Sequence, residues 1–263
     1  MQNVFTGDVA ARYDEDCASI ATPEALGPML DVLEELAGGG AALEFAIGTG
    51  RVGLPLAARG VPVSGIELSE DMVAELRRKP RGRDLPVVIG DMATTTVDGT
   101  YSLVYLVFNT LSNLLEQDEQ VGCFANAAHH LAPGGAFMVE QGEPDLRRFP
   151  PGAVAVPFEI GDDHLGFDTY DLVKQQLTSH HYRAGQRPHR LGVDLRQDGL
   201  TGRAPQDSYV SERGWSRRCS CTIHRSEQLG AETSAASPVG SVFSHAATAW
   251  AFSSRPMSHV VTA

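Results

Sequence analysis

The sequence predicts an α/β protein in which helices cover both faces of a doubly wound, mainly parallel sheet. Short apolar runs that can form buried strands alternate with stretches of helical spacing, and the segments between them are short. A glycine-rich turn at 48–53 separates the first apolar run from a helical stretch. From residue 183 onward this alternation stops, so we expect an atypical C-terminal portion.

A polar lead-in, a helix and a strand precede the glycine-rich turn. The lead-in covers residues 8–20. Thr22 is a plausible helix N-cap with Pro23 at the first helical position, and three glycines at 38–40 end the helix. The apolar run 42–47 then predicts a buried strand.

The turn itself, GTGRVG, has the spacing Gly-x-Gly-x-x-Gly and leads into a helix predicted over 54–59. Glycines reach positive φ without strain, and they let a ligand lie against the backbone because no Cβ stands in the way. The free N–H groups of the first helical turn suit an anionic group such as a carboxylate or a phosphate. The position between strand and helix predicts a cofactor-binding loop.

Acidic residues follow the next two predicted strands. Glu67 ends the apolar run 61–66 and stands 67 − 48 = 19 positions after Gly48, where a carboxylate can accept hydrogen bonds from both hydroxyls of a ribose. Asp91 follows the third strand and can accept from an adenine amino group while Met92 covers the ring. From the residues alone, a helix-capping glutamate and a turn aspartate are alternatives for the two acids.

The alternation of strands and helices continues to about Tyr182. The run 101–108 is the most continuous apolar segment, which is typical of a central strand covered on both faces. It ends at Asn109, at the edge where open α/β sheets bind ligands. The remaining elements are a helix from Ser69, its predicted N-cap, to about Arg78, strands at 86–89 and 136–140, a helix at 117–131, a turn at Pro133-Gly134-Gly135 and a sixth strand at 172–182.

Composition narrows the class of protein. The net charge of −12 argues against a nucleic-acid-binding surface. No apolar run approaches the roughly 18 residues of a membrane helix, and the first residues lack the pattern of a signal peptide, so we expect a cytoplasmic protein without a membrane partner. We expect no metal, because Cys219, Cys221 and His224 do not have the usual zinc-ligand spacing and the four cysteines are scattered.

Together these motifs resemble the class I S-adenosylmethionine-dependent methyltransferases, particularly the small actinobacterial type that modifies natural products and other small molecules. The resemblance covers about residues 4–182 and implies a Rossmann-like fold. It also implies S-adenosylmethionine as the cofactor, and methyl transfer to an O or N atom of a small-molecule acceptor. The matching residues are Tyr13-Asp14, Glu44-x-x-x-Gly48-x-Gly50, Gly65-Ile66-Glu67-Leu68-Ser69-x-x-Met72, Gly90-Asp91-Met92 and Leu131-x-Pro133-Gly134-Gly135.

The resemblance implies roles for nine residues in cofactor binding. Glu44 belongs to the loop motif, whereas Tyr13 closes over the methionyl end and Asn109 lies beside the sulfonium. A base is needed only if the acceptor is protonated, and His180 and His181 are then the catalytic candidates, of which at most one reaches a cleft because they point to opposite faces of a strand. The six remaining cofactor-binding residues are Gly48 and Gly50 under the methionine part, Glu67 on the ribose, Leu68 and Met92 on either side of the adenine, and Asp91 on its amino group.

Two other functions stay open from the sequence. The chain could bind S-adenosylmethionine without efficient catalysis, because the resemblance ends inside a predicted strand. The second, less favoured alternative is that the chain is an NAD(P)-dependent oxidoreductase, in which the same loop and Glu67 would bind the dinucleotide.

Residues 1–182 form the predicted cofactor-binding methyltransferase domain, and residues 183–263 form a different tail. The tail holds 10 Arg, no Lys and 6 acids, a net of +4, against 11 Lys+Arg and 27 acids, a net of −16, before it. It contains 12 Ser in 81 residues, against 6 in the first 182. It could be a disordered appendage, a small subdomain or the product of a reading-frame shift; we favour the frame shift, which would leave the sheet without its edge strands.

Overall fold

The computed structural model describes residues 3–143, 154–171, 173, 176–183, 189–194, 218–226, 251–254 and 257–260. Helices and strands alternate through the first part of this chain, and strands predominate afterwards. The helices are α1 (Asp8–Asp16), α2 (Pro23–Ala37), α3 (Gly53–Ala58), α4 (Glu70–Arg78) and α5 (Gln117–His130), with 3₁₀ turns at Ala18–Ile20 and Thr110–Asn113. The strands are β1 (Ala42–Phe45), β2 (Val63–Glu67), β3 (Val87–Ile89), β4 (Tyr101–Leu106), β5 (Leu131–Glu143), β6 (Ala155–Ile160), β7 (His164–Asp171), β8 (Gln176–Arg183), β9 (His189–Asp194), β10 (Arg218–Arg225), β11 (Ala251–Ser254) and β12 (Met257–Val260).

The main sheet has six strands in the order β10-β5-β4-β1-β2-β3. β5, β4, β1, β2 and β3 are parallel, and β10 runs antiparallel to β5. After β1 the chain builds one side of the sheet with β2 and β3, and it then crosses to the other side for β4 and β5. This arrangement confirms the predicted doubly wound fold and places its switch point between β1 and β4.

The helix termini form where the sequence predicts them. The Thr22 hydroxyl accepts the Ala25 N–H at 3.2 Å, and Gly38 ends α2 in the left-handed conformation with φ 55°. Ser69 caps α4 by accepting the Met72 N–H. The predicted Pro133-Gly134-Gly135 turn is an irregularity inside β5 rather than a link before it, because β5 already pairs with β4 at Leu131.

Two apolar clusters cover the two faces of the sheet, as a doubly wound fold requires. On one face α2 and α3 pack on the sheet through buried side chains such as Leu33 and Leu56. On the other face α5 packs through Phe124 against Phe45 and Phe137. The carboxyl ends of the strands are left between these layers as the place for a site.

The predicted sixth strand belongs to a second sheet. The observed strand β8 pairs with β7 and β9 in the order β6-β7-β8-β9, and all pairs are antiparallel. The predicted strand 172–182 is thus present as β8 (Gln176–Arg183), but it lies outside the main sheet. The physical reason is the connection length: the links from β6 to β7 and from β7 to β8 are too short for the crossover that a parallel pair needs.

The second sheet meets the main domain near the carboxyl ends of the strands. The Arg183 guanidinium donates to Asp16 of α1 at 3.0 Å, and β9 lies beside the 3₁₀ turn Thr110–Asn113 that follows β4. The second sheet thus stands over the edge at which the sequence places its candidate residues.

Most of the predicted tail, 183–263, lies outside the described residues. The described segment 218–226 contains β10, which pairs with β5 from Arg218 opposite Glu143 to Arg225 opposite Ala136. β10 therefore covers the edge that the frame-shift hypothesis expects to be exposed. Within the described part of the chain, no helix has both the length and the apolar character needed to cross a membrane.

His224 of β10 is a buried histidine in an aromatic environment. Its ring lies 5.2 Å from the Phe124 ring and 6.4 Å from the Phe137 ring, measured between centroids. Burial lowers the pKa of His224 from 6.5 to about 4, because the charged imidazolium would lose its hydration.

Replacement of His224 by phenylalanine should make the free energy of unfolding less dependent on pH below pH 7. Between pH 6.5 and pH 4 the unfolded chain takes up a proton that the folded protein does not, so the free energy of unfolding falls as the pH falls. From pH 7 to pH 5 the loss is about 2 kcal/mol for this group. Urea unfolding of wild type and His224→Phe at pH 5, 6, 7 and 8 measures it. Equal slopes for both proteins would contradict the assignment.

Candidate active site

The loop after β1 contains two positions, Gly48 and Gly50, whose backbone conformation favours glycine. Gly48 has φ +58° and Gly50 has φ +78°, and a Cβ on Gly50 would come within 2.4 Å of Leu76 Cδ1. Ala46 has φ 53°, so it occupies the same left-handed region with a side chain. The loop therefore offers bare backbone to a ligand and carries strain at one position.

Glu67 joins the tip of β2 to this loop. Its Oε2 accepts the Gly48 N–H at 2.7 Å, and its Oε1 accepts the Ser69 N–H at 2.8 Å. Burial raises the pKa of Glu67, and the backbone N–H groups act in the opposite direction. The backbone N–H of Leu68 is a third donor to this carboxylate, whose two oxygens offer about four acceptor sites, so Glu67 can still accept from a ligand hydroxyl.

Glu44 lies beneath the loop. Its Oε2 accepts the Tyr105 hydroxyl at 3.0 Å, and a Cβ on Gly53 would come within 2.7 Å of the same oxygen. Burial raises the pKa of Glu44 to about 8, against hydrogen bonds from Tyr105 and the Gly53 backbone. Glu44 thus supports the loop from the interior of the sheet.

The tip of β3 lies next to the tip of β2, since the Gly90 N–H donates to the Glu67 carbonyl at 2.9 Å. Asp91 is half-buried, and its Oδ1 accepts the Ala93 N–H at 2.8 Å. The Met92 side chain is 1% exposed and packs in the core, whereas Leu68 is half-buried. Of the two apolar residues predicted to contact a ring, Leu68 therefore presents more of its surface.

The N-terminal segment covers the glycine loop. Asp14 of α1 accepts the Thr49 hydroxyl at 2.6 Å and forms an ion pair with Lys79 at 2.7 Å. The Ser69 hydroxyl donates to the Phe5 carbonyl. These contacts join the start of the chain to both the loop and α4.

Tyr13 lies on α1 beside Arg51 of the loop. Burial raises the pKa of Tyr13, Cys17 acts in the same direction, and Arg51 opposes them. The structure thus brings together the loop and the tyrosine that the sequence placed in one site.

The turn after β4 is the second strained segment of the edge. Phe108 has φ 62° and Asn109 has φ 57°. The Phe108 N–H donates to Glu140 Oε2 at 2.7 Å, and the Arg51 guanidinium carbon lies 4.6 Å from the centroid of the Phe108 ring. Asn109 Oδ1 is buried and has no hydrogen-bond partner among the described residues.

Sequence analysis missed the role of Glu140 in this turn. Burial raises the pKa of Glu140, opposed by the Phe108 N–H and by Arg51. The only available signal was its position as the last residue of the predicted strand 136–140, because carboxyl ends of parallel strands meet at one edge. Its partner across the sheet could not be inferred from the sequence.

The structure places His180 and His181 in the second sheet. His180 Nε2 lies 2.9 Å from the Thr169 hydroxyl, and its ring stacks on Phe167 with centroids 4.7 Å apart. His181 Nδ1 lies 3.2 Å from His164 Nε2, on the opposite face. Both histidines therefore contact residues of the second sheet.

Fold and site together define an α/β protein that binds a nucleotide-type cofactor. A glycine loop, a carboxylate at the second strand tip and an unpartnered carbonyl group after β4 meet at the switch point of a doubly wound sheet. Among the described residues, no group of three or more His, Cys, Asp or Glu side chains could hold a metal ion.

Comparisons with known proteins identify the family. Residues 42–135 match the family described as "Methyltransferase domain". The chain is 31% identical over 140 residues to the cypemycin N-terminal methyltransferase of a Streptomyces species, which covers 52% of this chain and 57% of that protein. It is 35% identical over 98 residues to the dTDP-3-amino-3,6-dideoxy-alpha-D-glucopyranose N,N-dimethyltransferase of Streptomyces fradiae, which covers 37% and 38%.

Solved structures agree with this assignment. The CcbJ methyltransferase from Streptomyces caelestis is 33% identical, with a TM-score of 0.56 over 65% of this chain and 71% of that chain. The SAM-bound amino pentose methyltransferase CalS10 from Micromonospora echinaspora is 21% identical with a TM-score of 0.55, and it shares the fold. The chain belongs to the S-adenosylmethionine-dependent methyltransferases. It spans 57% and 38% of the two curated relatives.

Replacement of Glu44 by glutamine should alter the alkaline side of the stability profile. Between pH 4.5 and pH 8 the folded protein holds a proton on Glu44 that the unfolded chain releases, so the free energy of unfolding falls as the pH rises. From pH 6 to pH 8 the loss is roughly 2 kcal/mol in wild type. Urea unfolding of Glu44→Gln should show a flatter profile, and an unchanged slope would refute the prediction.

Replacement of Ala46 by glycine should stabilise the protein. The left-handed conformation costs an alanine about 1–2 kcal/mol, which glycine would avoid. The greater flexibility of glycine in the unfolded chain opposes this gain by about 0.4–1 kcal/mol. We expect a net gain of about 0–1.6 kcal/mol in the free energy of unfolding, measured by thermal or urea unfolding. Ala74→Gly on the exposed face of α4 is the matched control and should destabilise by about 1 kcal/mol. Destabilisation by both changes would show that Ala46 is not strained.

Proposed function

We propose that the protein transfers a methyl group from S-adenosylmethionine to a nitrogen or oxygen atom of a small molecule. The observation that carries this proposal is the convergence of the glycine loop with Glu67, through the 2.7 Å hydrogen bond from the Gly48 N–H. Bare backbone and a ribose-type carboxylate are thereby fixed side by side at the carboxyl edge of the sheet.

The residues present fit this cofactor. Asn109 Oδ1, which is buried without a partner among the described residues, is an acceptor suited to a ligand with a positive centre. Bound S-adenosylmethionine supplies a methyl group on a positively charged sulfur. We assign the cofactor site to Tyr13, Glu44, Gly48, Gly50, Glu67, Leu68, Asp91, Met92 and Asn109, with Glu44 acting through the loop backbone and Met92 chiefly through the core beneath the ring.

The residues of the chain contribute mainly by position. The contacts from Asp14 to Thr49 and Lys79 keep α1 over the glycine loop, which shields the site from water. Methyl transfer needs the acceptor atom in line with the bond that breaks, so orientation supplies much of the acceleration. Residues 1–182 carry all of the assigned residues and form the proposed methyltransferase domain, with 183–263 as a separate tail that adds β10 to its sheet.

A base is required only for an acceptor that arrives protonated. His180 and His181 are the proposed catalytic residues for that case. His180 is the better placed chemically, because its Nδ1 is buried without a partner among the described residues and can accept a proton in the neutral ring.

Nitrogen is the acceptor atom that we favour. The names of both curated relatives describe N-methylation, in one case of a peptide N-terminus and in the other of an amino sugar nucleotide. A small molecule or short peptide with an amino group is therefore the proposed acceptor class.

Replacement of Glu67 by alanine should weaken the binding of S-adenosylhomocysteine by about 1–3 kcal/mol, because two ribose hydroxyls lose a charged acceptor. Calorimetric titration measures this loss, and circular dichroism confirms that the variant is folded. Glu35→Gln, an exposed change on α2, is the control and should bind like wild type. Tight binding of NAD by wild type without binding of S-adenosylhomocysteine would overturn the proposed function.

A further inference from the structure

The turn at Phe108 and Asn109 combines two left-handed residues in sequence, with φ 62° and φ 57°. Neither is a glycine, but asparagine tolerates this region better than most residues, so the conformation is unfavourable chiefly for Phe108. Such a conformation persists only where surrounding contacts enforce it, and it is concentrated at functional sites. The contacts around this turn therefore indicate which functional group the turn positions.

Two charged residues contact Phe108, one at its backbone and one at its ring. Glu140 at the tip of β5 accepts the Phe108 N–H at 2.7 Å, and the Arg51 guanidinium covers the Phe108 ring at 4.6 Å. A third contact, from the Thr110 hydroxyl to the Val107 carbonyl at 2.7 Å, closes the turn. Contacts from β5, from the glycine loop and from within the turn itself thus fix Phe108, which precedes Asn109 in the chain.

The turn holds a carbonyl oxygen that lacks a partner. Asn109 Oδ1 is buried, and no described residue donates to it. An unpaired buried acceptor is costly, so its retention points to a ligand group that compensates it. Arg51 belongs to the glycine loop and lies over the Phe108 ring, so the turn that carries this oxygen lies next to the glycine loop.

We propose that Glu140 is a positioning residue that holds Asn109 Oδ1 toward the sulfonium, so that the site binds positively charged S-adenosylmethionine in preference to neutral S-adenosylhomocysteine. The inference rests on the proposed function. A carbonyl oxygen attracts a neighbouring cation far more than a neutral thioether. Glu140 also balances the charge of Arg51, which would otherwise repel a sulfonium in the same cleft.

The preference can be measured without knowledge of the methyl acceptor. Calorimetric titrations with S-adenosylmethionine and S-adenosylhomocysteine would compare wild type with Glu140→Gln, Asn109→Ala and the double variant. Each single change should weaken S-adenosylmethionine binding about tenfold and S-adenosylhomocysteine binding less than about twofold. In the double variant the loss should be smaller than the product of the single losses, because both changes disable one oxygen.

Two further variants separate positioning from general stability. Glu140→Asp keeps the charge and should restore part of the preference, and the remote exposed change Glu35→Gln should leave it intact. Equal weakening of both ligands by Glu140→Gln, or no weakening of either, would overturn the inference while the proposed function stands. Failure of wild type to bind either ligand would overturn both.

Discussion

The hydrogen bond from the Gly48 N–H to the Glu67 carboxylate, 2.7 Å long, is the contact on which the organisation of the site depends. The same carboxylate accepts the Ser69 N–H, so one side chain fixes the loop after β1, the tip of β2 and the start of α4. Glu67 is buried, and a buried charge is tolerated only where donors replace its lost water. The three segments are therefore held in one geometry, because the single carboxylate of Glu67 needs their backbone donors.

The same constraint acts on the other charges at this edge of the sheet, with different outcomes. Glu44 is buried and accepts hydrogen bonds from the Tyr105 hydroxyl and the Gly53 backbone, but burial still raises its pKa to about 8. Protonation of Glu44 therefore avoids the cost of a buried charge. Glu140 and Arg51 carry opposite charges, and they contact Phe108 at its N–H and at its ring. Because charges and backbone donors compensate one another here, each acidic residue acts through the backbone segment that it supports.

The second sheet and β10 complete the surroundings of the site. Short links make β6 to β9 antiparallel, and the Arg183 contact with Asp16 joins this sheet to the α1 segment over the glycine loop. β10 protects the β5 edge, and its His224 is buried against Phe124 and Phe137. The later part of the chain thus contributes an edge strand to the main sheet and a second sheet that contacts α1.

The sequence by itself determined the parallel sheet, the helix caps at Thr22 and Ser69, and the convergence of the glycine loop with Glu67, because periodicity, capping and strand-end position are local properties. It did not determine that β8 belongs to a second sheet or that Pro133-Gly134-Gly135 lies inside β5, since pairing partners are chosen by long-range packing. The strand-end position of Glu140 did not reveal its partner either. Its hydrogen bond to Phe108 exists only because the tips of β4 and β5 are neighbours in the folded sheet. Only the tertiary structure could decide which strand tips meet, and hence which side chains share a buried environment.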